Sequence, residues 1–312
     1  MGRLLWQRGL SFFFVLFSVT LVTFVVSVLA PGDPILNMMG GRQDPARYAL
    51  LRHQYGLDQP VHQQYLAYIG GLLRGHLGYS FKYPGRPVWD LIANGVPVSL
   101  KLGGLALLVS LLIGVPVGIW TALRQNQWQD TAVMALMLAL YSVPSFVLIP
   151  VLWVIDLAFY NAGLPSLPVA GWGKPQNLVL PVLVLAAANA GFIARLMRSS
   201  MLEVLRQDFI RTARAKGMTE NRIIRVHVLR NALLPLLTML GPATAFLVTG
   251  AFVVENLFAI PGIGYLSVQS IGQRDYPVIQ ATTILLALAV LVMNLVTDLA
   301  YGLVDPRVGA EE

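Results

Sequence analysis

Residues 208–235 read DFIRTARAKGMTENRIIRVHVLRNALLP, a strongly basic stretch set between long apolar runs. Leu202, Leu205, Phe209 and Ala213 lie at spacings of 3, 4 and 4, which predicts one apolar helix face. Arg206, Arg211 and Arg214 are left for the other faces, with Asp208 and Thr212 among them. Gly217 follows Lys216 directly and suits the left-handed backbone that closes helices. Thr219 is placed to cap a second helix, and Glu220 sits at that helix's positive end. The expected shape is two short helices meeting at an angle at Gly217. Small Ala213 and Ala215 at the bend let another surface come close.

The flanking sequence sets this stretch in a membrane. Apolar residues make up 56% of the chain and charged residues 12%, about half the charged share of a soluble domain. Charges are so few that the gaps between them can be read directly. Ser11–Ala30, Leu102–Leu123, Thr131–Ile155, Pro175–Ala194, Asn231–Val254 and Tyr276–Thr297 contain no Asp, Glu, Lys or Arg. Each reaches the roughly 20 residues that a helix needs to cross the hydrocarbon core. Six transmembrane helices are therefore expected in an all-α membrane protein. A soluble all-α protein is the alternative, but 312 residues could not bury six such runs.

There is no cysteine, which excludes disulfides and thiolate metal sites. The N-terminus carries Arg3 and Arg8 ahead of the first run. A cleaved signal has an apolar core of about 7–15 residues and this run is longer, so 1–30 reads as a cytoplasmic N-terminus and helix 1. Residues 31–97 read as a partly helical extramembrane segment. Pro31-Gly32-Asp33-Pro34 stops helix 1, Asp44-Pro45 looks like a helix start, and Asp58-Gln59-Pro60 suggests another. Tyr65, Tyr68, Ile69 and Leu72 then fall at helical spacing. His53, His62 and His76 match no metal-ligand spacing and read as surface residues. Residues 98–305 hold the remaining five helices, including the loop 198–232, and 306–312 form a tail.

Basic residues give the orientation. The N-terminus, 124–130, 195–230 and the C-terminus share one side by helix parity and carry 13 of the 22 Lys and Arg residues. The short loops opposite, 156–174 and 255–275, hold only Lys174 and Arg274. The positive-inside rule places the first set, with both termini, in the cytoplasm.

Within the helices, Pro116, Pro144, Pro150, Pro181 and Pro242 interrupt apolar runs, as do Gly114, Gly118 and Gly191. Such breaks serve either helix packing or a pathway. Asp156, Glu255 and Asp298 sit at the edges of the runs, where a charge costs far less than the roughly 2.5–3.5 kcal/mol of mid-bilayer. Asn189, Thr244, Thr249 and Asn294 are the uncharged polar candidates for lining a pathway. Residues 255–264, ENLFAIPGIG, are too apolar to stand in water. They are expected to dip back into the membrane under protein cover, with Glu255, Pro261, Gly262 and Gly264 forming a gate; a tight turn is the simpler alternative.

The basic segment could serve anionic lipid, or nucleic acid as a helix-turn-helix, although its tethering at both ends speaks against the latter. Docking a cytoplasmic protein fits better. Here the residues resemble a known family: the binding-protein-dependent ABC importer permeases. Their cytoplasmic loop carries Glu-Ala-Ala, three residues, Gly, and later a hydrophobic-Leu-Pro ending. Arg211-Thr212-Ala213, Gly217 and Leu234-Pro235 occupy those positions. The Glu is absent and the stretch from Gly217 to Pro235 is longer, as in the peptide/nickel subfamily, where Thr-Ala-Arg-Ala-Lys-Gly is typical wording. Residues 29–34, Pro144-Ser145-Phe146, Arg198–Leu205, Ile260–Gly264 and Asp305-Pro306-Arg307 extend the likeness over nearly the whole chain. Ser80–Tyr83, Pro97-Val98-Ser99 and Lys101-Leu102-Gly103 look most like oligopeptide permease B subunits, with dipeptide, nickel and glutathione importers as the nearby alternatives.

The resemblance implies a type I ABC importer permease fold and a set of partners: a homologous C-type permease, two ATPase subunits that use ATP and Mg, and an extracytoplasmic peptide-binding protein. The substrate would be a peptide, and nucleic acid would play no part. Asp208, Arg211–Gly217, Leu234 and Pro235 would couple this subunit to an ATPase. The chain has no Gly-x-x-x-x-Gly-Lys-Ser/Thr phosphate loop, so nucleotide chemistry belongs to a partner. An intramembrane enzyme lacks its motifs here: there is no His-Glu-x-x-His, Gly-x-Ser-x-Gly or Cys. A secondary transporter working without ATPases would show inverted halves or an intramembrane ion-pair chain, and neither is visible.

Overall fold

The computed structural model describes residues 2–39 and 44–304; side-chain surroundings are not described for 2–8, 240, 242–250, 298 and 300–304. In chain order the helices are α1 (Gly2–Leu29), α2 (Pro34–Met38), α3 (Pro45–Gln54), α4 (Val61–Leu73), α5 (Val88–Leu123), α6 (Trp128–Ser142) and α7 (Ser145–Asn161). They continue with α8 (Gln176–Leu205), α9 (Asp208–Ala215), α10 (Glu220–Arg222), a π-helical turn Ile223–Val228, α11 (Leu229–Ala232), α12 (Leu234–Leu257), α13 (Ile263–Gln273) and α14 (Tyr276–Val304). Among the described residues there is no strand, only an isolated bridge between Tyr79 and Pro87.

Each of the six charge-free windows falls on helix, and by length and composition α1, α5, α8 and α14 qualify singly as membrane spans. The third window is not one rod. It is the pair α6 and α7, bent by 112°. Pro144 disfavours helical backbone at the residue before it, and Val143 is extended, at φ −81° and ψ 123°. Pro116, Pro150 and Pro181 lie inside unbroken helices, so Pro144 alone among these four breaks one. The fifth window coincides with α12, whose middle side chains, Thr244 and Thr249 included, lie outside the described residues. Asp298 and the 305–312 end are outside them too. The second span begins at Val88 rather than Leu102, because a helix continues past the point where charges such as Asp90 and Lys101 reach the interface.

The chain divides into two compact units, Met1–Ser99 with Pro261–Leu291, and Leu100–Ile260 with Val292–Glu312. In the first, Asp33 accepts from Ile35 N at 2.8 Å, so the stop at Pro31–Pro34 is at once the start of α2. The Tyr48 hydroxyl donates to the same carboxylate at 2.5 Å and ties α3 to α2. Asp44 caps α3 by accepting from Ala46 N and Arg47 N, as its place before Pro45 predicts. The third expected start is different. α4 opens after Pro60 with no side-chain cap, and Asp58 instead meets His53 Nδ1 at 2.7 Å. Along α4, Tyr65 and Tyr68 turn toward α1 and pack on Phe24 at ring distances of 5.1 and 6.0 Å.

Also in this unit, Val88 and Ile92 of α5 form a small core with Ile263 of α13 and Val278 and Ala281 of α14. The Ser99 hydroxyl accepts from Ile263 N at 2.8 Å and serves the start of α13. Asp275, 2% exposed, is the joint between α13 and α14. It accepts from the Ser80 hydroxyl and from Phe81 N and Lys82 N.

In the second unit α8 is central: 72% of its apolar window is buried, against 11% for α1. Glycines let backbones approach it. A Cβ at Gly114 or Gly118 of α5 would lie 2.8 Å from Ala190 O or 2.6 Å from Ala194 O. Gly191 of α8 sits against the Met137 carbonyl of α6 in the same way. Without a hydrophobic drive between helices in lipid, such close van der Waals contact supplies much of their association. These three glycines are therefore packing residues.

Replacing Gly118 by Leu is expected to destabilise the protein by about 1–3 kcal/mol, the range for overpacking. Gly103→Leu is the control, since nothing lies within 4 Å of a Cβ there. Melting of the two detergent-solubilised variants should separate them, Gly118→Leu lower and Gly103→Leu near wild type.

Candidate functional site

The basic stretch is built on the far end of α8. α8 closes at Arg206, and Gln207 is extended at φ −70° and ψ 150° before α9 begins. This turn resets the helical register, so the predicted face from Leu202 through Phe209 to Ala213 is not continuous. Phe209 points outward, 45% exposed, and Ile210 takes the inward place at 0%. Ile210 and Ala213 pack into one cluster with Ala122, Met197, Met201, Ile223, Val228 and Ala232. α9 is therefore seated on the ends of α5 and α8 and on the segment that follows it.

The close of α9 follows the glycine logic. Gly217 has φ +74°, Met218 N bonds to Ala213 O at 3.3 Å, and Gly217 N to Arg214 O at 2.9 Å. Together these are the paired bonds of a Schellman ending. Thr219 has the extended backbone of a cap, but its hydroxyl makes no capping bond. Glu220 is held instead by Arg214, through Nε at 2.6 Å and Nη2 at 3.3 Å. That pairing lowers the Glu220 carboxyl and raises the Arg214 guanidinium from their ordinary values. Because the carboxylate is lowered, its small contribution is present near neutral pH and is lost as pH falls through the shifted value. Both side chains are largely exposed.

Beyond the bend the chain is not one regular helix. Ile223–Val228 is π-helical between α10 and α11, and this wider turn lies within the long Gly217–Pro235 spacing. The outward surface of the segment is thus Asp208, Phe209, Arg211, Thr212, Arg214, Ala215, Lys216 and Gly217. Ala213 is turned inward, contrary to the expectation that it lines the exposed bend. Leu234 is half-buried and Pro235 exposed at the start of α12.

The pathway candidates fall in different places. Asn189 is buried and donates to Leu185 O of its own helix at 3.1 Å. Asn294 lies at the crossing of α14 with α12, where a Cβ on Gly241 would come within 3.0 Å of its Oδ1. Glu255 is wholly buried in the last turn of α12, and its carbonyl accepts from Ile260 N at 2.8 Å. Phe258 and Ile260 are buried too, and Ala259 has φ +51°. Trp153 of α7 meets Phe258 edge-on at 5.7 Å, and Gly171 N donates to Phe258 O at 2.8 Å. Pro261 is exposed while Gly262 and Gly264 are buried, leading directly into α13. The segment is a short, partly buried connection from α12 into the 11-residue α13. Among the described residues no cluster of three His, Asp or Glu side chains could hold a metal.

Two buried carboxylates went unread in the sequence. Asp275 is one. The other is Asp130, which Arg198 grips through Nε and Nη2, both at 2.7 Å. It joins the start of α6 to α8, ten residues before α9 begins. Both acids directly flank charge-free windows, and that position was the available signal.

Residues 114–310 match the family of the binding-protein-dependent transport system inner membrane component, and residues 1–103 match the N-terminal family of the same membrane component. The chain is 40% identical over 308 residues to the dipeptide transport system permease protein DppB of Bacillus subtilis, covering 99% of this chain and 98% of the relative. It is 39% identical over 310 residues to the oligopeptide transport system permease protein OppB of Haemophilus influenzae, covering 99% of each. Its fold resembles a chain of the inward-facing methionine ABC transporter MetNI, with a TM-score of 0.57 at 23% identity over 69% of this chain and 96% of that one.

Asp130→Ala should cost about 1–3 kcal/mol, because it removes the two hydrogen bonds that hold the half-buried Arg198 guanidinium. The double variant Asp130→Asn, Arg198→Gln should recover much of that loss. Thermal or denaturant melts of the solubilised variants check both, and equal losses in the single and double variants would show that the pair is not coupled.

Proposed function

This chain belongs to the family of binding-protein-dependent transport system inner membrane components, and on that premise we propose that it is the permease subunit of an ATP-driven peptide importer. The carrying observation is likeness along the whole chain to permeases of both dipeptide and oligopeptide systems. The two relatives differ by one percentage point in identity, 40% against 39%, so peptide is the substrate class that fits. Nickel and glutathione import add nothing to that reading, nor does transport without ATPases. With a homologous C-type permease the helices would enclose one pathway. An extracytoplasmic binding protein would deliver the peptide. Both termini and the α9 segment would face the cytoplasm, as the distribution of basic residues suggests.

ATP and Mg would be handled by two partner ATPase subunits, one of which receives α9 and Gly217. The geometry supports this role in two ways. The outward face of α9 offers Phe209, Arg211, Thr212, Ala215 and Lys216, an apolar anchor among polar groups. The inward face is locked by Ile210 and Ala213 onto Met197 and Met201 of α8. A push on α9 would therefore be carried by packed side chains into a 30-residue span. At the other end, residues Phe258–Gly264 with Glu255 would act as the outer gate. Asn189, Thr244, Thr249 and Asn294 remain proposed pathway positions, with Asn189 and Asn294 also serving helix contacts.

Gly217→Pro is expected to leave ATP hydrolysis by the reconstituted complex near wild type while peptide uptake falls by about tenfold or more, equivalent to about 1.4 kcal/mol of lost coupling. Wild-type uptake would sink the coupling role. In native membranes Ala215→Cys should cross-link to an ATPase subunit and Ala213→Cys should not, since Ala213 is 7% exposed. The reverse pattern would place the docking face elsewhere.

A further inference from the structure

We propose that Asp275 is a positioning residue for transport: it clamps α13, the helix into which the gate segment runs, to the extramembrane hairpin at 78–88, so that the two move as one body. The inference rests on the import reading above, in which a binding protein delivers peptide on the face that carries this hairpin. Every contact behind it lies within the first unit.

The Asp275 carboxylate serves a segment other than its own helix. Its backbone carbonyl accepts from Ile279 N at 3.0 Å, which makes it the cap residue of α14. An Asp there ordinarily turns its side chain to an N–H two or three residues on. Two residues on stands Pro277, which has no N–H. The Ser80 hydroxyl, Phe81 N at 3.0 Å and Lys82 N at 3.3 Å donate to the carboxylate instead. Ser80 Oγ also accepts from Tyr83 N at 3.0 Å. Asp275 and Ser80 are 2% and 0% exposed, and a carboxylate buried so deeply depends on its donors. Arg274 beside it has φ +56°, and its guanidinium fills the space that a Cβ on Gly32 would need.

The same stretch of chain holds the other end of α13. Ser99 Oγ accepts from Ile263 N at 2.8 Å, and a Cβ at Gly95 would come within 3.2 Å of the Gly262 carbonyl carbon. Residues 80–99 therefore grip an 11-residue helix, about 16 Å long, at both ends. Between the grips, Val88 and Ile92 pack with Ile263, Val278 and Ala281. Inside the hairpin, Val88 N donates to Gly78 O and Ser80 N to Arg86 O, both at 3.0 Å. Its base is thus tied and buried, while Lys82, Tyr83, Pro84, Gly85 and Arg86 at the tip are exposed. Tyr and Arg are residue types enriched where proteins meet. A partner's load on this tip would pass through the tied base into both ends of α13.

The test uses the intact complex with its permease and ATPase partners, reconstituted in proteoliposomes. Hydrogen exchange reads the clamp, while peptide uptake and binding-protein-stimulated ATP hydrolysis read its use. Rates are taken per assembled complex, so a loss of yield does not move them. Asp275→Asn keeps one acceptor oxygen but turns an amide NH2 toward the donors of the turn. It should raise exchange in both 78–88 and 263–273, with 208–217 unchanged. Uptake and stimulated hydrolysis should fall about tenfold, as expected for losing a hydrogen bond to a charged group, with basal hydrolysis as in wild type. Ser80→Ala deletes one donor, should move the same readouts less far, and carries the test should Asp275→Asn fail to assemble. The double variant should be no worse than Asp275→Asn alone, because both act through one contact. Exchange rising in 78–88 but not in 263–273, basal and stimulated hydrolysis falling together, or wild-type uptake by the variants would each overturn the proposal. Failure of the import reading shows separately, as no peptide uptake by the wild-type complex, and exchange then still decides the clamp.

Discussion

Backbone comes close to backbone around α8. Gly114 and Gly118 bring α5 against the carbonyls of Ala190 and Ala194, and Gly191 brings α8 against that of Met137. Helices in hydrocarbon gain nothing by hiding apolar side chains from lipid, so contact area and proximity decide which helices associate. Any side chain at these positions would push α5 or α6 away. The ion pair of Asp130 with Arg198 depends on that closeness, as does the bond from the Ser110 hydroxyl to Ala186 O at 3.3 Å. Both features sit along the helix that ends in the basic segment.

From this packing comes a mechanical continuity. α9 is only eight residues long, too short to hold helical form on its own strength. It persists because Ile210 and Ala213 enter the cluster that Met197 and Met201 supply from α8. Its polar face is left free for a partner, and the Schellman ending at Gly217 turns the chain before the π-helical stretch returns it to α12. The result is a surface element whose position is set by a membrane helix. A coupling device needs that property, and a flexible basic loop would lack it.

How much of this was legible beforehand follows the range of the forces involved. Helix spans were readable because charge is excluded from hydrocarbon along a contiguous run, and each of the six windows lies on helix. Asp44 and Gly217 were readable because capping and left-handed backbone are local. Phe209 was misassigned to the apolar face because spacing assumes an unbroken helix, and the extended Gln207 shifts the register between Leu205 and Phe209; Ala213 does lie on the buried face, not at an exposed bend. Thr219 does stand as the extended residue before α10 with Glu220 in its first turn, though its hydroxyl makes no capping bond. Asp130 and Asp275 escaped notice because their partners, Arg198 and Ser80, are 68 and 195 residues away.

The amino-acid sequence alone determined a multi-span membrane protein with a bent basic segment and a buried apolar loop, since these depend on composition, periodicity and local backbone preference. Only the tertiary structure decided that α6 and α7 part at 112°, that Ala213 faces inward while Ala215 faces out, and that Gly114, Gly118 and Gly191 are contacts rather than a pathway. Those outcomes depend on which helix lies against which, and long-range packing is not written in any single stretch.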